Sequence, residues 1–187
     1  TVNTLSLHDA LPIHKCGNCP VATKEAYRLY TEEFPGRLAF VSIHAGPLAR
    51  FNPGADKFGT DFTTEAGDDF FATLNNANAV PFGMVDRKFF STAHGSWAGR
   101  VQDELAQPAA VALHVTNCYE ADSLTLTTVV DVEYLLDATD KEYLSVFLIE
   151  DGIVDWQKHY TDPAGPDLPE YVHHNVLRSP LNGSWGQ

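Results

Sequence analysis

A pair of cysteines at the start of a predicted helix offers the clearest chemistry in the sequence. Cys16 and Cys19 are separated by two residues within HKCGNCP, which places their sulfur atoms within disulfide reach. The unpaired N–H groups and partial positive charge of a helix N-terminus stabilise a thiolate. The spacing therefore predicts Cys16 as a nucleophile, aided by the cation of Lys15, and Cys19 as the resolving cysteine. Two other hypotheses fit the same pair: a disulfide that only fastens the helix start, or part of a metal site.

The residues that follow the cysteines predict the elements of an α/β unit. A helix from Cys19 would bury Ala22, Ala26 and Leu29 on one face, and a Pro-Gly pair ends it. The continuous apolar run at residues 37–44 is typical of a strand that is covered on both faces. A second helix, a strand led by a proline, a return strand and a third helix complete the predicted unit.

This order of elements resembles the thioredoxin fold, except for the strand that should precede the cysteines. In that fold a proline with a cis peptide bond faces the two cysteines, and its main chain docks the partner peptide. Val80 and Pro81 occupy the corresponding place, so we predict a cis Val80–Pro81 bond and assign both residues to substrate binding. Only about 5–6% of X–Pro bonds in folded proteins are cis, so geometry can refute this prediction.

The residues ahead of the cysteines do not read as the missing strand. Residues 4–13, TLSLHDALPI, resemble the translation of a common sequencing-adapter oligonucleotide. We therefore expect residues 1–13 to be an adapter-derived artefact, with the first central strand missing or replaced. A vacant central position would leave buried main-chain groups unpaired, at about 1–3 kcal/mol each. We expect Leu5 to His8 to be recruited as a replacement strand, or the position to stay open.

After residue 108 the pattern changes to an alternation of period two. The segments AVALHVTNCYE, SLTLTTVVDVEYLL and EYLSVFLIEDGIVDWQKHY are rich in strand-forming residues and joined by short polar connectors. We predict an antiparallel meander, and hence an all-β sandwich-like domain at residues 109–187 after a thioredoxin-like domain at 14–107. Whether this β domain is cut short at its C-terminal end is left open. Cys118, in one such strand, is expected to be a buried inert thiol.

Composition excludes several classes of function. With 25 acidic and 12 basic residues the formal net charge is −13, which disfavours binding to nucleic acid or to anionic lipid. Three cysteines are too few for a disulfide scaffold or a four-thiolate zinc site. No apolar run approaches the ~18 residues that span a bilayer. The sequence also lacks a signal-peptide pattern and the common catalytic loop motifs. We predict no cofactor.

Four histidines deserve separate consideration as ligands. His14 and His44 flank the cysteine motif and would tune a thiolate or bind a metal if they met, although hydrogen-bonded scaffolding is the commoner role of such histidines. His173 and His174 are adjacent in sequence. Neighbouring residues of a strand point to opposite faces, so this doublet would not chelate one ion. No residue is therefore assigned to a metal site.

Five motifs together resemble the outer-membrane-protein-28-related family of Bacteroidetes envelopes. They are HKCGNCP, VSIHAG, DFTTEAGDDF, VPFGMVDRK and YVHHNVLR, and the resemblance runs from His14 to about Trp185. It implies a thioredoxin-like domain followed by a β-sandwich-like domain, export, and often a lipid anchor on an N-terminal cysteine that is absent here. Members are described as surface proteins with suggested adhesion or receptor roles. Only Cys16, Cys19 and Pro81 carry over as a redox-type site.

Two functional hypotheses follow for an exported, outer-membrane-associated protein. In the first, the Cys16–Cys19 pair exchanges disulfides with a protein or peptide partner that Pro81 aligns, so the chain is a thiol-disulfide oxidoreductase. In the second, the chain is a surface binding or adhesion module, and the pair is only a structural disulfide. Neither hypothesis includes a nucleic acid partner, and membrane association would come only through the absent N-terminal anchor.

Overall fold

The fold is described from a computed structural model that covers the main chain of residues 5–10 and residues 13–75, 79–137 and 141–187 in full. These described residues form ten strands and three α-helices. Strands and helices are mixed in the first half of the chain, and only strands follow the third helix. In chain order they are β1 (Leu5–Ala10), α1 (Cys19–Arg28), β2 (Leu38–Ile43), α2 (Glu65–Leu74), β3 (Gly83–Val85), β4 (Phe89–Ser91), α3 (Trp97–Leu105), β5 (Val111–Glu120), β6 (Thr125–Tyr134), β7 (Phe147–Glu150), β8 (Ile153–Lys158), β9 (Asp167–His173) and β10 (Val176–Pro180).

A six-stranded mixed sheet in the order β4-β3-β1-β2-β10-β7 organises the molecule. Strands β1, β2 and β10 are parallel to one another, whereas β3 runs antiparallel to β1 and β7 runs antiparallel to β10. Strand β4 returns along β3. A sheet of this kind needs cover on both faces, which explains why β2 is apolar along nearly its whole length.

Residues 5–10 fill the central position of this sheet. They pair with β2 in parallel over six residues, from Leu5 opposite Leu38 to Ala10 opposite Ile43, and with β3 on the other side. The prediction that Leu5 to His8 form a strand is confirmed. The expectation that residues 1–13 are adapter-derived stays a prediction, and residues 1–4, 11 and 12 lie outside the described residues.

Two clusters of buried side chains cover the two faces of the sheet. One contains the cysteine pair together with Ala66 and Phe70 of α2. The other joins Ala22, Ala26 and Leu29 to Trp97 and Val101 of α3. The stripe that the sequence predicted for the first helix is therefore buried.

The strands after residue 108 differ from the predicted sandwich. Strands β7 and β10 extend the sheet of the first half, while β5 with β6 and β8 with β9 form separate two-stranded ladders. The boundary at residues 107–109 thus does not separate two sheets. Alternation of period two identifies a strand with one buried face, but it does not say which sheet the strand joins. The division into independent domains at 14–107 and 109–187 stays a prediction.

Asn175 attaches β10 to the sheet. Its side chain donates a hydrogen bond to the main-chain oxygen of Phe40 (3.2 Å), and its main-chain oxygen accepts one from the amide of Ser42 (2.8 Å). Its φ of 54° lies in the left-handed region, which asparagine tolerates better than most residues. Since Val176 and Leu177 follow at once and are fully buried, this turn delivers two apolar side chains to the core.

The β5–β6 ladder carries an exposed apolar face. The pairs Leu113–Val132, Val115–Val130 and Tyr119–Leu126 face one another across the ladder. All but one of these six side chains are exposed, with Leu113 at 55% and Tyr119 at 61%. Cys118 lies on the opposite face and is an exposed free thiol, so the expectation that it is buried is wrong. No described element covers this apolar face of the ladder. The alternation of apolar and polar residues in the sequence predicts one buried face and therefore did not indicate that this face is exposed.

Gly83 marks the closest approach between the sheet and α3. A Cβ atom at this position would overlap the buried indole of Trp97, whereas a Cβ at Gly99 in the same helix would meet no atom within 4 Å. We expect Gly83→Ala to lower the free energy of unfolding by about 1–3 kcal/mol, because the rigid indole has no room to move.

The matched control is Gly99→Ala, which should raise the free energy of unfolding by about 0.5–1 kcal/mol, because alanine has the higher helix propensity. Urea unfolding followed by tryptophan fluorescence measures both changes. Equal effects of the two substitutions would contradict the described contact between the sheet and α3.

Candidate functional site

The Cys16–Cys19 loop lies immediately ahead of α1. The two sulfurs form a disulfide, with the Cα atoms 5.4 Å apart. The helix begins at Cys19 with Asn18 as N-cap and Pro20 in its first turn, so Cys16 precedes the helix rather than opening it. Both cysteines are buried, with exposed fractions of 4% and 1%. The predicted pair is therefore real as a disulfide, but its first sulfur is not freely exposed.

The residues on either side of the predicted proline belong to the cluster that contains the disulfide. The Val80–Pro81 peptide bond is cis, as the sequence analysis predicted. Val80 and the residue after the proline, Phe82, belong to the same buried cluster as Cys16 and Cys19. The four residues assigned from sequence to catalysis and substrate binding therefore meet in one region of the molecule, with Pro81 half-buried between its neighbours.

Three residues at and just after the end of β8 hold the Cys16–Cys19 loop by four hydrogen bonds; we call them the β8 clamp. The side-chain amide of Gln157 donates to the main-chain oxygens of Ile13 and Cys16, both at 3.1 Å. The Lys158 amide donates to the oxygen of His14 (2.7 Å). The Tyr160 amide donates to the oxygen of Gly17 at 2.9 Å, and the Tyr160 ring lies so close that a Cβ on Gly17 would overlap it.

The ammonium group of Lys15, which was expected to stabilise a thiolate on Cys16, forms hydrogen bonds with other residues. The ammonium of Lys15 donates to the main-chain oxygen of Arg50 and to the side-chain oxygen of Asn52 (2.8 Å). These bonds tether the cysteine loop to the long segment after β2. The expectation that Lys15 supports a thiolate on Cys16 gains no contact in this structure.

A group of three buried imidazoles lies next to the disulfide; we call it the histidine cluster. The ring centroid of His44 is 6.1 Å from that of His14 and 5.5 Å from that of His173. The Phe62 ring packs against all three, with centroid separations of 4.7–5.7 Å. The exposed fractions of the three histidines are 0–2%. Three segments distant in sequence thus bring their imidazoles together.

The ring nitrogens of this cluster form no hydrogen bonds. Neither Nδ1 nor Nε2 of His14, His44 or His173 has a partner, and Oδ2 of nearby Asp155 is also buried without one. The main chains of Arg50 and Trp156 lie close enough to favour the protonated forms of His14 and His173, yet outside hydrogen-bond geometry. The role of hydrogen-bonded scaffolding expected for His14 and His44 is therefore not what this structure presents.

Burial lowers the pKa of every imidazole in the cluster. It brings the pKa of His173 to about 4 and holds the pKa of His44 well below its usual value, with repulsion between the neighbouring rings acting in the same direction. Burial, with a smaller contribution from Lys15, also lowers the pKa of His14. At neutral pH all three rings are uncharged.

The histidine doublet behaves as the strand geometry predicted. His173 points into the cluster, while His174 pairs with Asp151 (2.9 Å) and stacks on Tyr27 with ring centroids 4.3 Å apart. The two rings therefore do not share a ligand. Within residues 13–75, 79–137 and 141–187, no group of three His, Cys, Asp or Glu side chains is arranged so that it could hold a metal ion.

Sequence reasoning missed two residues of this region. Gln157 is fully buried and bonds to the cysteine loop across more than 140 positions of sequence, and Phe62 forms the centre of the histidine cluster. Neither has a local motif, since a glutamine in an alternating strand reads as a solvent-facing residue. His173 was identified but set aside, because its partners lie far away in the sequence.

Comparison with known proteins gives one family and one structural relative. The family profile described as Outer membrane protein Omp28 matches residues 68–187, from α2 to the end of the chain and thus without the cysteine loop. The crystal structure of an Agrobacterium tumefaciens protein is similar with a TM-score of 0.55 and 9% identity, over 97% of this chain and 72% of that chain. That level of identity indicates a shared fold alone. The comparison with curated proteins gave no match.

Acid should destabilise the protein through the histidine cluster. A histidine whose folded-state pKa is depressed contributes stability that is present above its unfolded-state pKa of about 6.5 and is lost as the pH falls below it. With the pKa of His173 at about 4, this residue alone should remove about 3 kcal/mol from the free energy of unfolding between pH 6.5 and 4.

Urea unfolding at a series of pH values measures this loss. We expect His173→Phe to flatten the pH dependence below 6.5, since phenylalanine fills the aromatic site without titrating. The control His114→Gln changes an exposed histidine of β5 and should leave the dependence unaltered. If the free energy of unfolding of the wild type stayed constant from pH 7 to pH 5, the lowered pKa of the histidine cluster would be refuted.

Proposed function

Because the chain belongs to the outer membrane protein Omp28 family, we propose that it acts in the cell envelope as a binding module built on a disulfide-fastened scaffold. Family membership indicates the envelope, and a disulfide suits such an oxidising compartment. No α-helix among the described residues has the length and apolar character to cross a membrane. Export and a lipid anchor, which the resemblance to Bacteroidetes members implies, are parts of the proposal.

A thioredoxin-like scaffold is the first component of the proposal. Its support is the order β1-α1-β2-α2-β3-β4-α3, with the strands arranged β4-β3-β1-β2 and only β3 running antiparallel to the other three. The disulfide just before α1 is a further observation that supports this component. Strands β10 and β7 are then additions to the edge formed by β2.

The burial of Cys16 beneath the β8 clamp is the observation that carries the assignment of a structural disulfide. Thiol-disulfide exchange requires a thiolate to approach a disulfide sulfur, so its rate depends on access. Here Cys16 is 4% exposed, its carbonyl is bound by Gln157, and Tyr160 covers the neighbouring Gly17. A partner would have to displace these contacts before it could react.

The second component is a surface for a protein or peptide partner. The apolar face of the β5–β6 ladder is the candidate, because exposed apolar side chains that lie together on a surface often mark an interaction site. Its opposite face carries Glu133, Asp131 and Glu120. A ladder with one apolar and one acidic face would present only the apolar face to a partner.

Disulfide exchange is the second candidate function, favoured by the packing of Val80 and Phe82 in the same cluster as Cys16 and Cys19. In the reduced protein the Cys16 thiolate would attack a substrate disulfide, forming a mixed disulfide and releasing one substrate thiolate. The Cys19 thiolate would then attack the Cys16 sulfur, releasing the second substrate thiolate and restoring the Cys16–Cys19 disulfide. Two electrons pass from the protein to the substrate.

The reduction potential of the Cys16–Cys19 pair separates the two candidates. For a structural disulfide we expect a potential below about −300 mV in glutathione or dithiothreitol buffers and no turnover in an insulin-reduction assay. Replacing both cysteines by serine should lower the free energy of unfolding by about 2 kcal/mol, because the closed loop is short. Insulin turnover that disappears in Cys16→Ser would instead establish disulfide exchange.

Removal of the tyrosine cover should make the disulfide accessible. In Tyr160→Ala we expect dithiothreitol to reduce the pair several-fold faster than in the wild type, because the ring no longer covers Gly17. Tyr119→Ala removes a similarly exposed tyrosine from the distant β5–β6 ladder and serves as control. Equal reduction rates in all three proteins would mean that the clamp does not limit access.

A further inference from the structure

A hinged segment leaves the six-stranded sheet after β7 and returns to it at β10. Glu150 of β7 pairs with Val176 of β10, so the main sheet closes across the base of this segment. Residues 151–175, which we call the flap, contain β8 and β9 as a two-stranded sheet of their own. Gly152 and Asn175, at the two ends of the flap, have φ values of 75° and 54°. The flap can therefore pivot about its base while the main sheet stays paired.

Two buried side chains anchor the flap to the rest of the molecule. Among the residues of β8 and β9, only Gln157 and His173 are buried. Gln157, a residue of the β8 clamp, donates hydrogen bonds to the cysteine loop. His173 packs its ring against Phe62, with the centroids 4.8 Å apart, and forms no hydrogen bond through its ring nitrogens. The ion pair of Lys57 with Asp167 (3.1 Å) is partly exposed and contributes little. One of the two buried anchors is thus an ionisable ring.

The histidine cluster joins the flap to two other segments. His14 belongs to the cysteine loop, His44 follows β2, and only His173 belongs to the flap. The groups that act electrostatically on the three rings are the cations of Lys15 and Arg178, the carboxylates of Asp61 and Asp155, and His174. The two carboxylates favour protonation, but burial and the repulsion between the rings outweigh them, so the pKa of each ring stays lowered.

We propose that the flap is a gate over the Cys16–Cys19 disulfide, closed while the histidine cluster is neutral and opened by acid. A proton on His173 places a charge in an apolar site whose nearest imidazole is 5.5 Å away, ring centroid to ring centroid. Withdrawal of the flap brings this ring into water and separates it from His14 and His44. Protonation of clustered histidines is a known way to separate two packed surfaces.

Opening of the flap uncovers the cysteine loop. The main-chain oxygens of Cys16 and Gly17 lose their hydrogen bonds to Gln157 and Tyr160, and the Tyr160 ring leaves Gly17. The disulfide, whose first cysteine is 4% exposed in the closed form, then becomes accessible to a reductant or to a thiolate. This inference goes beyond both candidate functions and holds for either, because it concerns access to the disulfide rather than its use.

Acid favours the open flap because the open form binds protons more readily than the closed form. In the closed form burial brings the pKa of His173 to about 4, whereas in water the pKa of the ring returns to about 6.5. Linkage through His173 alone then raises the opening constant about 20-fold between pH 7 and pH 5. The lowered pKa values of His14 and His44 act in the same direction.

Amide hydrogen exchange of the wild-type chain at pH 7 and pH 5, corrected for intrinsic exchange rates, tests the proposal. We expect β8 and β9 to be less protected than β2 at both pH values, and their opening constant to rise about 20-fold at pH 5. Equal protection of β8, β9 and β2 would mean that the flap opens only with the whole molecule. Protection of the flap that is the same at both pH values would mean that opening does not release the histidines. Either result would overturn the proposal.

Reduction by tris(2-carboxyethyl)phosphine measures access to the Cys16–Cys19 disulfide. Each rate is divided by the rate for oxidised glutathione at the same pH, because the phosphine itself titrates. This ratio should rise about 20-fold from pH 7 to pH 5 in the wild type and in the control His114→Gln, which changes an exposed histidine of β5. It should rise far less in His173→Phe, because phenylalanine fills the same site without titrating.

A wild-type ratio that does not change with pH, or an equal rise in His173→Phe, would contradict the gate. The exchange measurement uses the wild type alone and so does not depend on the folding of any variant. Because the reductant is supplied in the assay, the result is also independent of whether the Cys16–Cys19 pair is structural or exchanges disulfides with a partner.

Discussion

The hydrogen bonds from Gln157 to the cysteine loop are the interaction on which the arrangement of the two halves depends. The loop carbonyls of Ile13 and Cys16 are enclosed by the core, and a buried carbonyl needs a donor. The first half of the chain supplies the disulfide and four strands of the six-stranded sheet, while the second half supplies this donor from β8. Together with β10, whose Asn175 is bonded to β2, the clamp makes the β-rich region a part of the same core.

Much of the first half could be predicted from the sequence because its signals are local. The apolar stripes at Ala22 and Ala26, the cysteine spacing and the proline at position 81 each report on neighbours within a few residues. The replacement strand at Leu5 to His8 followed from a global argument, since a vacant central place would leave main-chain groups unpaired. In this part of the molecule the local residue patterns and the hydrogen-bonding needs of the sheet predict the same structure.

The second half and the histidine cluster could not be predicted in the same way. Alternation located the strands but gave no information on their partners, so β7 and β10 were assigned to a sandwich rather than to the sheet edge. His44 and His173 are separated by 129 positions, and only the fold brings their rings to 5.5 Å. Burial of Gln157 contradicts the usual preference of glutamine for the surface, so no propensity would have indicated it.

The β5–β6 ladder has a consequence for how the molecule opens. None of its twenty strand residues is buried, so it can separate into two solvated chains while the six-stranded sheet stays intact. Its amide protons would then exchange with solvent through a local fluctuation that needs only a small part of the global unfolding free energy. Contact of another molecule with the ladder would therefore slow exchange in the ladder alone.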